Sequence, residues 1–570
     1  MEFARALRRL IWISLGGFLF TTALLIINTK YAGYDDEGYM LLALRHYLSG
    51  LRLYDDVFSQ YGPWPFVFHQ LATFGGTIPL THELGRILTA LQWTGGAVLC
   101  GLMVGRFSGR MSAGIVTTAA VFCLTWQTSV EPMHPGGHLM VLIAVAAWVA
   151  AELETARARR PGLAAALGAL IALVMLTKIN VGIFLAAAVA GAFGRFSQAG
   201  PARVRRPFAL VIGALVIALP WLLVGARCSE PWIFSLALLT SVANAALFWI
   251  TPTDRDTPPT GRDLFAFLAG GMLAGTAVCL TVLARGTTVA SLCQAVLIRP
   301  LTLPSKFTIP TTWPPSVWVV TAACGLLVIR AGWEIRREGT PRPLTRRLIL
   351  TIRGITLAGA ALTFHLWASL DGIVTFTEYG LPLLPAFVIP LNAVSAATNR
   401  LRWIVASIAA LQILHLYPVT GSQRGWSIFL FVPVLVLGWD EACEVFATGP
   451  RGRTIGGRAC RIGFAGLSLI AVIQLAGIGW QRHQSSRPLD LPGAESLRLP
   501  EPQRLALRVL TLNASLHADL LFSVPGMGSF NLWSGVPAPT AQHATQWFWL
   551  LPATEQRRIS DRLAPHPAPP

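Results

Sequence analysis

The chain has 570 residues, 54% hydrophobic and 13% charged, with a mean hydropathy of +0.57. A soluble protein is about a quarter charged, so a string of soluble domains is excluded as the main architecture. The formal charge of +18 comes from arginines set in short loops between apolar runs, which points to membrane topology and away from nucleic acid as a partner.

Apolar runs follow one another near 11–28, 87–105, 111–127, 139–151, 162–177, 181–194, 207–224, 231–250, 264–284, 315–330, 348–368, 381–397, 402–417, 426–438 and 462–480. A span needs about 20 residues, and the hydropathy supports about 12–15 transmembrane helices. The expected fold class is an all-α polytopic membrane protein, with the 231–250 run read either as a span or as a segment in the interface. The first run follows a basic N-terminus but lacks a small-x-small cleavage site, so it reads as an uncleaved helix.

Arg5, Arg8 and Arg9, then Arg106 and Arg110, Arg157, Arg159 and Arg160, Arg203, Arg205 and Arg206, Arg336, Arg337, Arg346 and Arg347, and Arg451, Arg453, Arg458 and Arg461 fall in alternating loops. By the positive-inside rule those loops and the N-terminus are cytoplasmic. The loops 29–86, 128–138, 285–314, 369–380 and 418–425, and the tail, then face outward. The expected location is a plasma membrane, that of a bacterial inner membrane. Two regions are expected: 1–480 in the membrane, and 481–570 as a small extracytoplasmic region rich in Pro and Gly with Trp533, Trp547 and Trp549. The eight cysteines form no C-x-x-C pair, so neither a disulfide framework nor a zinc site is expected.

The segment 29–86 is too polar for lipid and too long for a turn. It reads as one or two short helices at the membrane surface, and long loops of this kind tend to be functional. Its first part, Lys30 to Tyr39, is KYAGYDDEGY. Asp35, Asp36 and Glu37 are adjacent like charges, and near a bilayer their repulsion grows. Such a cluster is either a hydrated cap for a helix starting near Glu37, with Asp35 or Asp36 as the cap, or a chemical site.

Other candidates lie in outer loops. Asp55 and Asp56 suit sugar hydroxyls, or equally a turn and a cap. In EPMHPGGH, residues 131–138, Glu131, His134 and His138 have metal-ligand chemistry. The Pro-Gly-Gly between the histidines breaks the helix that would put both on one face, so a substrate contact is favoured over a metal. YGPWPF, from Tyr61, supplies aromatics suited to the interface.

The run YDDEGYMLLALRHYLSGLRLYDD…QYGPWPF resembles the first external loop of the GT-C superfamily of membrane glycosyltransferases, which includes protein O-mannosyltransferases and lipid A aminoarabinose transferases. The matching positions are Asp36-Glu37, Ala43 to Gly50, Tyr54 and Gly62-Pro63, over about 40 residues. LVMLTKINVG, with Lys178, and EYGLPLLP, with Glu378 and Tyr379, are similar to further superfamily segments. An Arg-Tyr is commoner where Glu378-Tyr379 stands.

The resemblance implies an enzyme that moves a hexosyl or pentosyl group from a polyprenyl-phosphate donor to an acceptor on the outer face, with inversion. It implies Asp36 as base, Glu37 as its orienting partner and Asp35 as a tuning charge. A cation must meet the departing phosphate; Lys178 leads, with Arg86 and Arg424 behind it. No cofactor is required by this reading, although some superfamily members use a divalent ion. The alternatives are a transporter or flippase of lipid-linked sugars, which would carry ionisable groups near the midplane, and a non-catalytic scaffold.

Overall fold

The computed structural model describes residues 2–155, 159–196, 202–250, 260–362, 368–391, 396–447, 454–544 and 550–564. Trp547, Trp549, Arg157, Arg451 and Arg453 lie outside the described residues. The described chain is helical apart from one small hairpin, β1 (Arg487–Pro488) paired antiparallel with β2 (Arg498–Leu499).

In chain order the helices are α1 (Glu2–Ile27), α2 (Asp36–Leu48), α3 (Trp64–Ala72), α4 (His82–Ser108), α5 (Met111–Leu124), α6 (Gly136–Thr155), α7 (Arg160–Met175) and α8 (Ile179–Phe196). Then come α9 (Ala202–Val224), α10 (Pro231–Trp249), α11 (Gly261–Ala284), α12 (Val289–Cys293), α13 (Arg299–Lys306), α14 (Pro315–Glu338), α15 (Pro343–Leu362) and α16 (Leu370–Val388). The last are α17 (Ala396–Gln412), α18 (Gln423–Ile428), α19 (Phe431–Ala447), α20 (Thr454–Ser485), α21 (Glu501–His517), α22 (Gly528–Ser534) and α23 (Ala553–Leu563).

Eight described helices are long and apolar enough to cross a membrane: α1, α4, α6, α9, α10, α11, α14 and α20. α5, α7 and α8 are shorter apolar helices. The chain is an all-α polytopic membrane protein. The 231–250 run is α10, long enough to span. The remaining apolar runs carry α15, α16, α17 and α19. α15 includes Arg346, Arg347 and Arg353, and α16 holds Pro382 and Pro385.

Local chemistry sets many helix starts. The Thr81 side chain accepts from Leu84 N–H at α4, Ser369 caps α16, and Thr260 with Asp263 forms a reciprocal capping box at α11. Pro231 and Pro315 stand in the first turns of α10 and α14, where a missing N–H costs nothing. α7 and α11 meet through small residues. A Cβ on Gly168 would lie 1.9 Å from the Phe267 carbonyl oxygen, and one on Gly270 2.1 Å from that of Ala165. Glycine there lets the two backbones touch, as is common between membrane helices.

The two ends of the bundle differ in chemistry. At one end Arg106 of α4 pairs with Glu152 of α6, Arg461 with Asp440 (2.9 Å), Arg160 with Asp263 (3.4 Å) and Arg400 with Glu154 (3.4 Å). Arg110 joins Asp440 there, and Arg353 and Arg402 share Glu441 at 2.9 and 2.7 Å. Buried charges must be paired, and these are. The opposite end holds the end of α1, α2, α3, the 125–135 loop, the turn between α7 and α8, and α18.

The loop 29–86 forms α2 and α3, but α2 does not lie open at a membrane surface. Tyr39, Met40, Leu41, Ala43, Leu44 and Tyr47 are all buried. The chain after α20 covers it, with α22 packed on α2. Apolar residues all round α2 make that second cover necessary. The region after α20 has its own core of Leu489, Leu491, Ala494, Leu497, Leu499, Leu507 and Trp533. It is moored to the bundle where Arg498 N–H donates to the Asn28 carbonyl at 2.8 Å.

Replacing Gly168 by Leu forces α7 and α11 apart. The expected cost is about 1–3 kcal/mol, read as a lower thermal midpoint of the full chain in detergent.

Candidate active site

Asp35 is the N-cap of α2. It adopts a left-handed backbone (φ 46) and accepts from Gly38 N–H at 3.0 Å. Its carboxylate is buried and also accepts from Ser529 N–H and Ser529 Oγ–H, both at 2.7 Å. Burial pushes it up to about 7, while the Ser529 and Gly38 donors pull the other way.

Glu37 forms a two-pronged pair with Arg86 of α4, at 2.8 Å to Nε and 2.6 Å to Nη2. Both side chains are buried. Arg86 also donates to the carbonyls of Ile27 (2.5 Å) and Lys30 (3.1 Å). Its donors are therefore turned to Glu37 and to the end of α1. In this arrangement the pair fixes α2 against α4.

Asp36, the first residue of α2, makes no hydrogen bond or ion pair with any described residue. Its carboxylate stands in a cluster with Glu131 and His134, with one ligand-type atom from each within 4.8 Å of the others. Glu131 accepts from the Tyr34 hydroxyl at 2.9 Å, and its second oxygen is buried without a partner among the described residues. Burial, then the neighbouring Glu131 and Asp35 charges, hold Asp36 well above the usual carboxylate range. Burial also raises Glu131, against its bonds from Ser422 and Tyr34. A carboxylate with no fixed partner and a raised affinity for protons is equipped to take one.

His134 lies on the loop and His138 in the first turn of α6. The His134 ring stacks on Trp426 at 4.4 Å and its Nε2 meets the Tyr61 hydroxyl at 2.8 Å. His138 does not join it. Its ring faces Phe68 and His69, beside Gln92.

The cluster has part of the chemistry of a cation site. Asp36 and Glu131 offer oxygens that suit a hard divalent ion. His134 offers no free lone pair as it stands. Its Nδ1 accepts from Gly136 N–H at 2.9 Å, and burial followed by the Lys178 charge lowers it to about 3, so the ring is neutral. Its one proton is then on Nε2, facing Tyr61. In sequence Glu131, His134 and His138 are ligand types for which a substrate contact is favoured over a metal; in the structure Asp36, not His138, stands with Glu131 and His134.

Lys178 sits in the turn between α7 and α8, on the Asp36 end of the bundle. Its Nζ donates to Gln423 Oε1 at 2.9 Å, and burial lowers it to about 7. Arg424 follows on α18, donates to Thr311 Oγ1 at 3.0 Å and is electrostatically coupled to Glu378. Tyr379 bonds Ser316 at 2.7 Å and borders an apolar cavity of about 350 Å³ whose lining includes Phe376, Leu383, Val436 and Trp439.

Asp55 and Asp56 are taken up by the chain itself. Asp55 accepts from Thr288 N–H (2.8 Å), Thr288 Oγ (3.0 Å) and Ser291 Oγ (2.7 Å), which ties its turn to α12. Asp56 pairs with Arg52 at 2.9 Å. Of their two sequence readings, these contacts match the turn and cap. Tyr34 and Ser529 carry no sequence signal of their own; only the tertiary contacts mark them, whereas Gln423 stands beside Arg424 in the polar outer loop 417–427. Lys30 is a further, half-buried cation at this end, donating to Ser129 Oγ at 2.9 Å over the Trp126 ring.

What fold and site define is a polytopic helical membrane protein in which the half-buried Asp36 carboxylate meets the buried Glu131 at the bundle end that also holds the half-buried Lys178. No family model and no curated protein matches the chain. Solved structures of the oligosaccharyltransferase of Archaeoglobus fulgidus do. The form with Zn and sulfate matches at 12% identity and TM-score 0.38, over 92% of this chain and 56% of that one. The form with an inhibitory peptide and a dolichol-phosphate matches at 14% identity and TM-score 0.39, over 91% and 59%. The chain spans a little over half the length of those enzymes.

Arg86→Met strands the buried Glu37 carboxylate. The expected loss is about 3–5 kcal/mol, most of it recovered in the double variant with Glu37→Gln, as read by unfolding of the full chain in detergent.

Proposed function

We propose that this end of the bundle is the active centre of a GT-C-type glycosyltransferase. It takes a sugar from a polyprenyl-phosphate donor and passes it to an acceptor hydroxyl or amine. The observation that carries this is the Asp36 carboxylate, half-buried and without a fixed partner among the described residues, facing Glu131 on the same bundle end as Lys178. The arginine-paired end is opposite, so the positive-inside rule puts the centre on the extracytoplasmic face, with the N-terminus in the cytoplasm.

The step is a single displacement. The acceptor oxygen or nitrogen attacks C1 of the sugar and its proton passes to Asp36. The C1–O bond to phosphate breaks, and its electron pair leaves on the phosphate oxygen. One displacement inverts C1. Lys178, carrying its proton, meets the charge that grows on the phosphate, and Arg424 supports it. Glu131 keeps Asp36 basic by like-charge repulsion. Glu37 and Asp35 act by holding α2, not by touching the substrate. Asp36 and Glu131 also have the oxygens to hold a hard divalent cation, which when bound would supply positive charge against the phosphate and would lower the proton affinity of Asp36, replacing the repulsion from Glu131. The apolar cavity beside Tyr379 suits an isoprenoid chain.

Asp36→Asn removes the base but keeps the shape. Transfer should fall about a hundred- to ten-thousand-fold. The assay is full-length protein in liposomes with a panel of labelled polyprenyl-phosphate sugars; undiminished transfer by the variant would reject the assignment.

Lys178 gives a pH test. Its folded value is depressed to about 7, so it loses its proton as pH rises through that point. Donor KM should therefore rise above about pH 7 and hold steady below it. Lys178→Arg, which stays cationic, should flatten that dependence. A wild-type KM that ignores pH would remove Lys178 from the donor site.

A further inference from the structure

The tail reaches the centre through one buried chain of hydrogen bonds. Trp533 Nε1 donates to His82 Nδ1 at 3.3 Å, His82 Nε2 meets Ser529 Oγ at 2.8 Å, and Ser529 Oγ meets Asp35 Oδ1 at 2.7 Å. An indole N–H can only donate, so His82 Nδ1 must accept. The ring proton is then on Nε2 and goes to Ser529, and the Ser529 proton goes to Asp35. The direction of every bond is fixed from Trp533 to Asp35. His82 cannot take a proton from Ser529 in this order, so the Ser-His-Asp set is no hydrolytic triad. Asp35, His82, Ser529 and Trp533 are all buried.

Packing makes the contact specific. A Cβ on Gly38 would lie 2.2 Å from both Ser529 N and Asp35 Oδ2, and one on Gly528 would lie 2.6 Å from the Gly38 carbonyl oxygen. The backbones of α2 and α22 touch at these glycines. Asp35 holds a left-handed backbone, which a non-glycine residue keeps only when its surroundings dictate it. The residue that follows is Asp36.

We propose that Gly528 to Trp533 of the tail are a latch that aims the catalytic carboxylate. Ser529 is a positioning residue: by gripping Asp35 it fixes the first turn of α2, and so the side on which Asp36 meets Glu131. Tail docking is thus a condition for an assembled centre. This inference rests on the reading of Asp36 as the working group.

Hydrogen exchange of the full chain in detergent reads the grip. Amides of the first turn of α2 should exchange about tenfold faster in Ser529→Ala and His82→Phe. His82→Gln should match the wild type, because its amide oxygen accepts from Trp533 and its nitrogen donates to Ser529. Binding of Mn2+ alone, followed by electron paramagnetic resonance, reads the aim. Asp36→Asn and Glu131→Gln should abolish it. Ser529→Ala and His82→Phe should weaken it about tenfold, as supporting groups around a metal do, with His82→Gln restoring it. Unchanged exchange in Ser529→Ala overturns the latch. So does wild-type Mn2+ affinity in that variant when Asp36→Asn has lost it. Should Asp36→Asn bind Mn2+ as the wild type does, the cation reading of the centre fails instead, and exchange alone decides the latch.

Discussion

Three consecutive carboxylates can share the start of one helix only because the helix sends them apart. Successive residues turn by about 100°. Asp36 and Glu37 within α2 diverge by that angle, and Asp35 stands outside it as the left-handed N-cap, so the three meet three environments. Asp35 turns to the backbone and hydroxyl of Ser529, and Glu37 to the guanidinium of Arg86. Asp36 alone faces another carboxylate. The first two are neutralised or saturated by donors, which makes it tolerable to leave the third without a fixed partner in a half-buried place. The rest of the centre depends on this division of labour.

The same rule separates structural from reactive charge across the molecule. At the arginine end, Arg353, Arg402 and Glu441 are buried but engaged with one another and with backbone carbonyls. Such groups hold helices together. At the other end Lys178 donates to the neutral amide of Gln423, and Glu131 has an oxygen without a partner among the described residues. Groups of that kind shift their proton affinities, and sites of chemistry are where such shifts gather. Burial thus has opposite consequences at the two ends, set by what each charge faces.

Much of this was legible in the residues. Hydropathy marked the helices, including α10, and the arginines marked one end of the bundle. The acidic triplet marked the start of α2, and cap chemistry allowed Asp35 to be its N-cap. EPMH marked Glu131 and His134 as ligand-type residues, but the His138 beside them proved to face Phe68 and His69. Asp55 and Asp56 looked like sugar contacts or turn residues, and their hydrogen bonds are those of a turn. α2 looked like a surface helix until the tail was seen to cover it.

What the sequence determined by itself was one-dimensional: which segments enter the membrane, which end is basic, where acids cluster. Hydrophobic runs, charge and caps act over a few residues, so they can be read from neighbours in the chain. Which of the three acids is left open was decided by tertiary structure alone. Arg86 is 49 positions from Glu37, and Ser529 is 494 from Asp35. A helix start fixes the direction of each side chain but not what waits there, and the partner arrives only when the bundle and the tail have closed.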